Sequence, residues 1–161
     1  MMQDEELYRV GFGWDVHKIS KKKGFLYIGG VNVSDIYFAI AHSDGDALIH
    51  SLVDAILGAL SEGNIGIMFP SNEKNRNRRS VELLDETVNM LKDKSYRVVN
   101  VDSTVIVKEI NLKGFLNEII ALLSGKLEVD KNRVSIKPKS GNGVYEKIVM
   151  AYTTIMLKRS G

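Results

Sequence analysis

Residues 41–60, AHSDGDALIHSLVDAILGAL, decide the fold. From Asp46 to Glu62 the apolar positions Leu48, Ile49, Leu52, Val53, Ile56, Leu57 and Leu60 return every three or four residues, which predicts a helix that Gly63 stops. Two histidines and three aspartates stand inside or just ahead of this apolar run. Polar groups so close to a core either point to water or are gathered for chemistry. The rest of the chain decides between these readings.

Outward from that helix, residues 7–12 (LYRVGF), 25–33 (FLYIGGVNV) and 96–108 (YRVVNVDSTVIVK) are rich in Val, Ile and aromatic residues and read as strands. Gly29-Gly30 marks a hairpin turn in the second. Ser80 is placed to cap a second helix built on Val81, Leu84, Val88 and Leu91, and Leu112 to Leu123 reads as a third. Strands are expected again at Arg133–Lys137 and Val149–Leu157. Helices and strands thus intermix without a Gly-rich phosphate loop or a regular βαβ series. The expected architecture is α+β: one sandwich domain over residues 1–161, with a mixed sheet packed by helices on one face. The apolar-free stretch 71–79, SNEKNRNRR, is expected to be an exposed, mobile loop.

Composition narrows the function classes. The chain has 161 residues, 44% hydrophobic and 26% charged, as soluble globular domains do. A net charge of +2 and a pI near 8.7 are too mild to call for nucleic acid, and Lys74, Arg76, Arg78 and Arg79 read as a solvated loop able to meet a phosphate. The absence of cysteine removes disulfides, thiolate nucleophiles and sulfur-ligated metals together, so any metal must use carboxylate and imidazole ligands. No stretch approaches the roughly 20 apolar residues of a membrane span. The start MMQDEELY is unlike a secretory signal, so the chain reads as cytoplasmic.

Asp46, His50 and Asp54 recur every four residues, forming one stripe on the helix. A lone histidine there would read as a surface hydrogen-bonding residue. Asp15 and His17 in GWDVH, two apart on an extended segment, point to the same side. With His50 they make one carboxylate and two imidazoles, a zinc-type set that leaves the fourth tetrahedral position for a substrate oxygen.

Taken in order, GFGWDVHKI, IGG, AHSDGDALIH, DAILGAL, GNIG, FP and NVDSTVIV resemble the 2-C-methyl-D-erythritol 2,4-cyclodiphosphate synthases of the non-mevalonate isoprenoid pathway. The resemblance implies a homotrimer with active sites between subunits, in a bacterial cytoplasm or a plastid. It implies that Asp15, His17 and His50 bind Zn²⁺ or another divalent transition metal, with Mg²⁺ or Mn²⁺ on the substrate diphosphate. His42 and Ser43 would contact phosphate, His42 stabilising the pentavalent transition state. Asn64, Ile65, Gly66, Phe69 and Pro70 would hold substrate, Asn64 standing where the family has aspartate, and Glu73 would keep a carboxylate in the following loop. Asp46 is expected, from helical spacing, to support the site from the preceding turn. The implied reaction is cyclisation of 4-diphosphocytidyl-2-C-methyl-D-erythritol 2-phosphate, whose 2-phosphate attacks the β-phosphorus and expels CMP.

The resemblance weakens toward the C-terminus. VKEINLKG replaces the family's glutamine and Pro-Lys pair, and KPKSGNGVYEK, shorter by several residues, replaces KATTTE and LGFTGRGEG. Aligned on Lys137, Ser140 takes the place of a phosphate-contacting threonine, and Asn142 that of the glutamate that binds the second metal. An amide oxygen binds Mg²⁺ more weakly than a carboxylate. Three readings stay open: a working synthase, a relative that binds a phosphorylated or isoprenoid diphosphate ligand without turnover, and a metallophosphohydrolase.

Overall fold

The computed structural model describes residues 7–75 and 78–161. β1 (Tyr8–Lys21) runs well past the expected strand, through GWDVHKIS, because its alternation continues even where the residues are polar. The Gly29-Gly30 turn joins β2 (Leu26–Ile28) to β3 (Val31–Ser34) as a separate hairpin, both glycines having positive φ. β4 (Tyr37–Ile40), too short to signal itself, pairs with the far end of β1. β5 (Tyr96–Ile106), β6 (Val134–Lys139) and β7 (Ile148–Arg159) complete a five-stranded sheet of order β4-β1-β7-β5-β6. Only β5 and β6 are parallel, so the sheet is mixed.

α1 (Ala47–Leu60) lies on β1 and β7, and its seven anticipated apolar positions are all buried. Each such side chain contributes roughly 1.5–3 kcal/mol relative to leaving it in water. The helix ends at Ser61, which adopts the left-handed conformation, rather than at Gly63. A single turn, α2 (Ile65–Met68), follows it, and α3 (Ser80–Asp93) and α4 (Leu116–Leu127) pack over β5 and β6. The third helix thus begins later than expected, after a 3-10 turn at Leu112–Gly114. All the longer helices cover one face of the sheet, as the sequence implied.

Two glycines set the spacing between α1 and β1. Gly11 and Gly13 face the helix, and a Cβ on either would fall on its backbone: 1.8 Å from the Ala55 oxygen and 2.1 Å from the Ser51 oxygen, respectively. Two residues along a strand advance about as far as four along a helix. The register therefore steps from Gly11 beside Ala55 and Ala59 to Gly13 beside Ser51 and Ala55, and then brings Asp15 to His50.

Asp46 does not support the site in the way helical spacing suggested. It is the N-cap of α1 and fully buried, and its carboxylate accepts from the amides of Gly29 (2.9 Å), Gly30 (2.6 Å) and Ile49 (3.1 Å). It ties the hairpin turn to the helix start, a task open to a cap whose side chain meets three unpaired donors.

Ser71, Asn72 and Glu73 are exposed as expected, but Arg78 and Arg79 at the end of this stretch are not simply solvated. Arg78 pairs with Glu82 and Glu86 and lies over the Phe69 ring, while Arg79 pairs with Asp44 and covers Tyr27. Residues 76 and 77, and the side chain of Lys74, lie outside what the structure describes. Nor is Ser80 a cap: it is the first residue of α3, with Arg79 in the cap position, and its hydroxyl turns inward.

Candidate metal centre and substrate cleft

Asp15 and His17 leave β1 on the face that meets α1, where His50 occupies the first helical turn. Asp15 Oδ2 lies 2.7 Å from His17 Nε2 and 2.9 Å from His50 Nδ1, and the two ring nitrogens are 3.1 Å apart. Three ligand atoms thus converge within 4.8 Å of one another, the one such group among the described residues. In a tetrahedral shell with bonds of about 2.0 Å the ligand atoms sit about 3.3 Å apart. A small opening of this cluster admits such an ion, and the donor set of one carboxylate and two imidazoles suits zinc or a similar transition metal.

The electrostatics point the same way. Burial works against the charge on Asp15, but bonds from His17 and His50 hold its carboxyl far below the ordinary range. Burial likewise works against the His50 imidazolium, and the bond and charge of Asp15 carry it above its usual value. The pocket therefore keeps an anion fixed and draws positive charge toward it.

This fixes a pH dependence for the metal-free chain. Asp15, lowered from 3.8, stabilises the fold above that pH and loses its contribution as acid is added through the lowered value. His50, raised from 6.5, stabilises it below pH 6.5, and the contribution fades as pH rises through the raised value. Burial raises Asp46 and Asp54 from 3.8, so their ionisation also lowers stability toward higher pH. Thermal melts in excess chelator should give a maximum between about pH 4 and 6.5. Zinc should stabilise most above that window, where its ligands are free of protons. A profile shared with His50→Ala would contradict the assignment.

Beside this cluster opens a cleft of about 220 Å³ lined by His42, Ser43, Ile65, Gly66 and Phe69, together with Ser71, Asn75 and Leu83. Five of the expected substrate residues are therefore gathered on the metal side. Others do not line the cleft. Asn64 caps α2 by accepting from Ile67 N, Pro70 offers its carbonyl to Asn72 and Asn75, and Glu73 is exposed in a 3-10 turn. Asp54 Oδ1 accepts from Ile65 N at 2.6 Å, which holds this wall against α1. His42 Nε2 donates to the Asn72 carbonyl at 3.3 Å.

Ser140 is not brought to this cleft within the chain. It lies beyond β6, with Pro138 and Lys139, in a separate pocket shared with Lys108 and Lys113. The two sites nevertheless occupy the same end of the sheet: His17 pairs with Val149, Met150 with Ile106, and Ile106 with Lys139. Three strand spacings, roughly 14 Å, separate them.

Sequence reasoning missed Asp44, Ser71, Asn75 and Ser80. Ser71, Asn75 and Ser80 sit in or at the edge of the polar run after FP, where nothing in the pattern distinguishes an inward side chain from a solvated one.

Comparison with known proteins adds the family. The YgbB family model matches residues 8–158. A 2-C-methyl-D-erythritol 2,4-cyclodiphosphate synthase of Kosmotoga olearia is 46% identical over 155 residues, covering 96% of this chain and 99% of that protein. The enzyme of the same name from Thermotoga maritima is 34% identical, covering 99% and 97%. Among solved structures, a CDP-bound form of such a synthase superposes with a TM-score of 0.88 at 27% identity, over 93% of this chain and all of that one. The Plasmodium falciparum IspF CDP complex gives 0.84 at 32%, over 98% and 100%.

Proposed function

The chain belongs to the YgbB family, and we propose that it catalyses cyclisation of 4-diphosphocytidyl-2-C-methyl-D-erythritol 2-phosphate to 2-C-methyl-D-erythritol 2,4-cyclodiphosphate with release of CMP. The observation that carries this reading is the meeting of Asp15, His17 and His50 at the mouth of a cleft walled by His42, Ser43, Ile65 and Gly66. An oxygen of the 2-phosphate attacks the β-phosphorus, the bond to the bridging oxygen breaks, and CMP leaves with that oxygen. No protein nucleophile takes part, so the residues act by positioning and charge.

Asp15, His17 and His50 would hold the metal, zinc by its donor set, which supplies charge neutralisation at the phosphate oxygens. His42 and Ser43 offer donors to phosphate along the cleft, and Ile65 to Phe69 confine the methylerythritol part. The second ion, Mg²⁺ or Mn²⁺, would be held mainly by the diphosphate itself, since Asn142 offers only an amide.

The uncovered sheet face supports a homotrimeric assembly. Val10, Phe12 and Trp14 alternate outward along β1, each more than half exposed, and Phe12 and Trp14 both stack against Tyr152, with centroids 6.3 and 6.4 Å apart. Such a patch marks an interaction surface. A homotrimer closed through it would bring the Ser140 end of one subunit toward the metal cluster of the next, joining two sites that one chain keeps apart. Light scattering should then give about three times 18.0 kDa. A fully active monomer would end the shared-site reading.

Phosphorus NMR of the purified chain with substrate, Zn²⁺ and Mg²⁺ tests the chemistry. Equimolar CMP and cyclic diphosphate are expected. Inorganic phosphate from simple monoesters would instead favour a hydrolase, and zinc uptake without product a ligand-binding relative.

A further inference from the structure

His50 has two ring nitrogens, and the metal reading uses only Nδ1. The other, Nε2, points away from Asp15 to the start of α3, where Ser80 Oγ lies at 2.8 Å. Ser43 Oγ is also near, at 3.2 Å. Ser80 is wholly buried, and its hydroxyl has a second partner, Asp44 Oδ1. Asp44 is fastened in turn: its Oδ2 accepts from the Ser80 amide at 2.9 Å and from Arg79 Nε at 3.1 Å, and its Oδ1 accepts from the Asp46 amide at 3.3 Å.

The directions of these bonds follow from the donor inventory. A carboxylate flanked by amides and a guanidinium is an acceptor, so the Ser80 hydroxyl must donate to Asp44. Its lone pair then faces His50 and can only accept. A neutral imidazole carries one N–H and one lone pair. Ser80 therefore holds a proton on Nε2, so the nitrogen left for a metal is Nδ1, whose proton the metal-free chain donates to Asp15 and a metal displaces.

We propose that Ser80, held by Asp44, is a positioning residue that fixes the tautomer and ring orientation of His50 and thereby tunes metal affinity. The proposal rests on the reading of Asp15, His17 and His50 as a metal site. It also separates two serines that both approach Nε2. Ser43 lines the cleft, whereas Ser80 is buried beneath the ring.

The test uses zinc itself and three variants: Ser80→Ala, Ser80→Thr and Asp44→Asn. Zinc affinity is read by competition with a chromophoric chelator. The tautomer is read from long-range proton–nitrogen correlations of ¹⁵N-histidine, a spectrum with only three rings to assign. Zinc-loaded wild type should show His50 protonated at Nε2. Ser80→Ala should bind zinc about 10- to 100-fold more weakly, the usual effect of removing such a partner, and lose the uniform Nε2–H signature. Asp44→Asn should weaken it less, and Ser80→Thr, which keeps the hydroxyl, should stay within a few-fold of wild type. Unchanged affinity and signature in Ser80→Ala would overturn the proposal, as would a Ser80→Thr variant as weak as Ser80→Ala, because packing would then be the cause. Failure of wild type to take up zinc would instead defeat the metal reading beneath it.

Discussion

His50→Ala is expected to lose both the bound metal and the cyclase activity, the latter on the order of 10³-fold, as the charge stabilisation of a metal is withdrawn from the phosphate. Three effects act together. One of three ligands disappears, Asp15 keeps His17 but loses the second of the two partners that hold its carboxyl low, and the lone pair of Ser80 no longer meets a ring. Metal analysis after gel filtration should find well under one zinc per chain. His42→Ala gives the contrast, because His42 touches the Asn72 carbonyl rather than the metal cluster. It should keep its zinc and lose rate. If His50→Ala retained stoichiometric zinc, the ligand assignment would be wrong.

The difference between those two histidines also shows how much of the site can be read from the residues. Asp15 and His17 share a strand face because strand side chains have period two, and His50 sits in a helix whose apolar spacing is unmistakable, so their convergence is legible. Asp46 obeys the same spacing and yet turns elsewhere. At the N-cap of a helix a carboxylate meets unpaired amides, and the donors of Gly29, Gly30 and Ile49 prevail over any more distant partner. The full length of β1 is hidden because its second half is polar on the inner face, where the site lies. Arg78 and Arg79 read as solvated because sequence shows charge and not partners: Glu82 and Glu86 are a turn or two ahead, but Asp44 lies 35 positions back. Ser140 lies in a separate pocket three strands from the metal cluster, and nothing in the order of residues marks that separation.

Gly13→Ala should be strongly damaging, although it lies outside the ligands and adds one methyl group. That carbon would lie 2.1 Å from the Ser51 oxygen and 2.7 Å from the Ala55 nitrogen, both backbone atoms that no rotamer can move. α1 must therefore back away from β1. Overpacking costs about 1–3 kcal/mol where side chains can yield, and a clash with a helix backbone belongs at or beyond the upper end. For a chain of this size that corresponds to a fall of roughly 6–12 °C in melting temperature. The same displacement lifts His50 from Asp15 and His17, so zinc affinity should fall with stability, and saturating zinc should recover part of the loss. Gly125→Ala, with nothing within 4 Å of its new methyl and a position inside α4, should instead gain about 0.5–1 kcal/mol. A Gly13→Ala chain that melted with wild type and bound zinc as tightly would mean that the close approach of β1 and α1 is not what assembles the site. The two glycines of GFGWDVH would then be incidental to the aspartate and histidine that follow them, whereas the register of β1 against α1 makes them the reason those ligands meet His50.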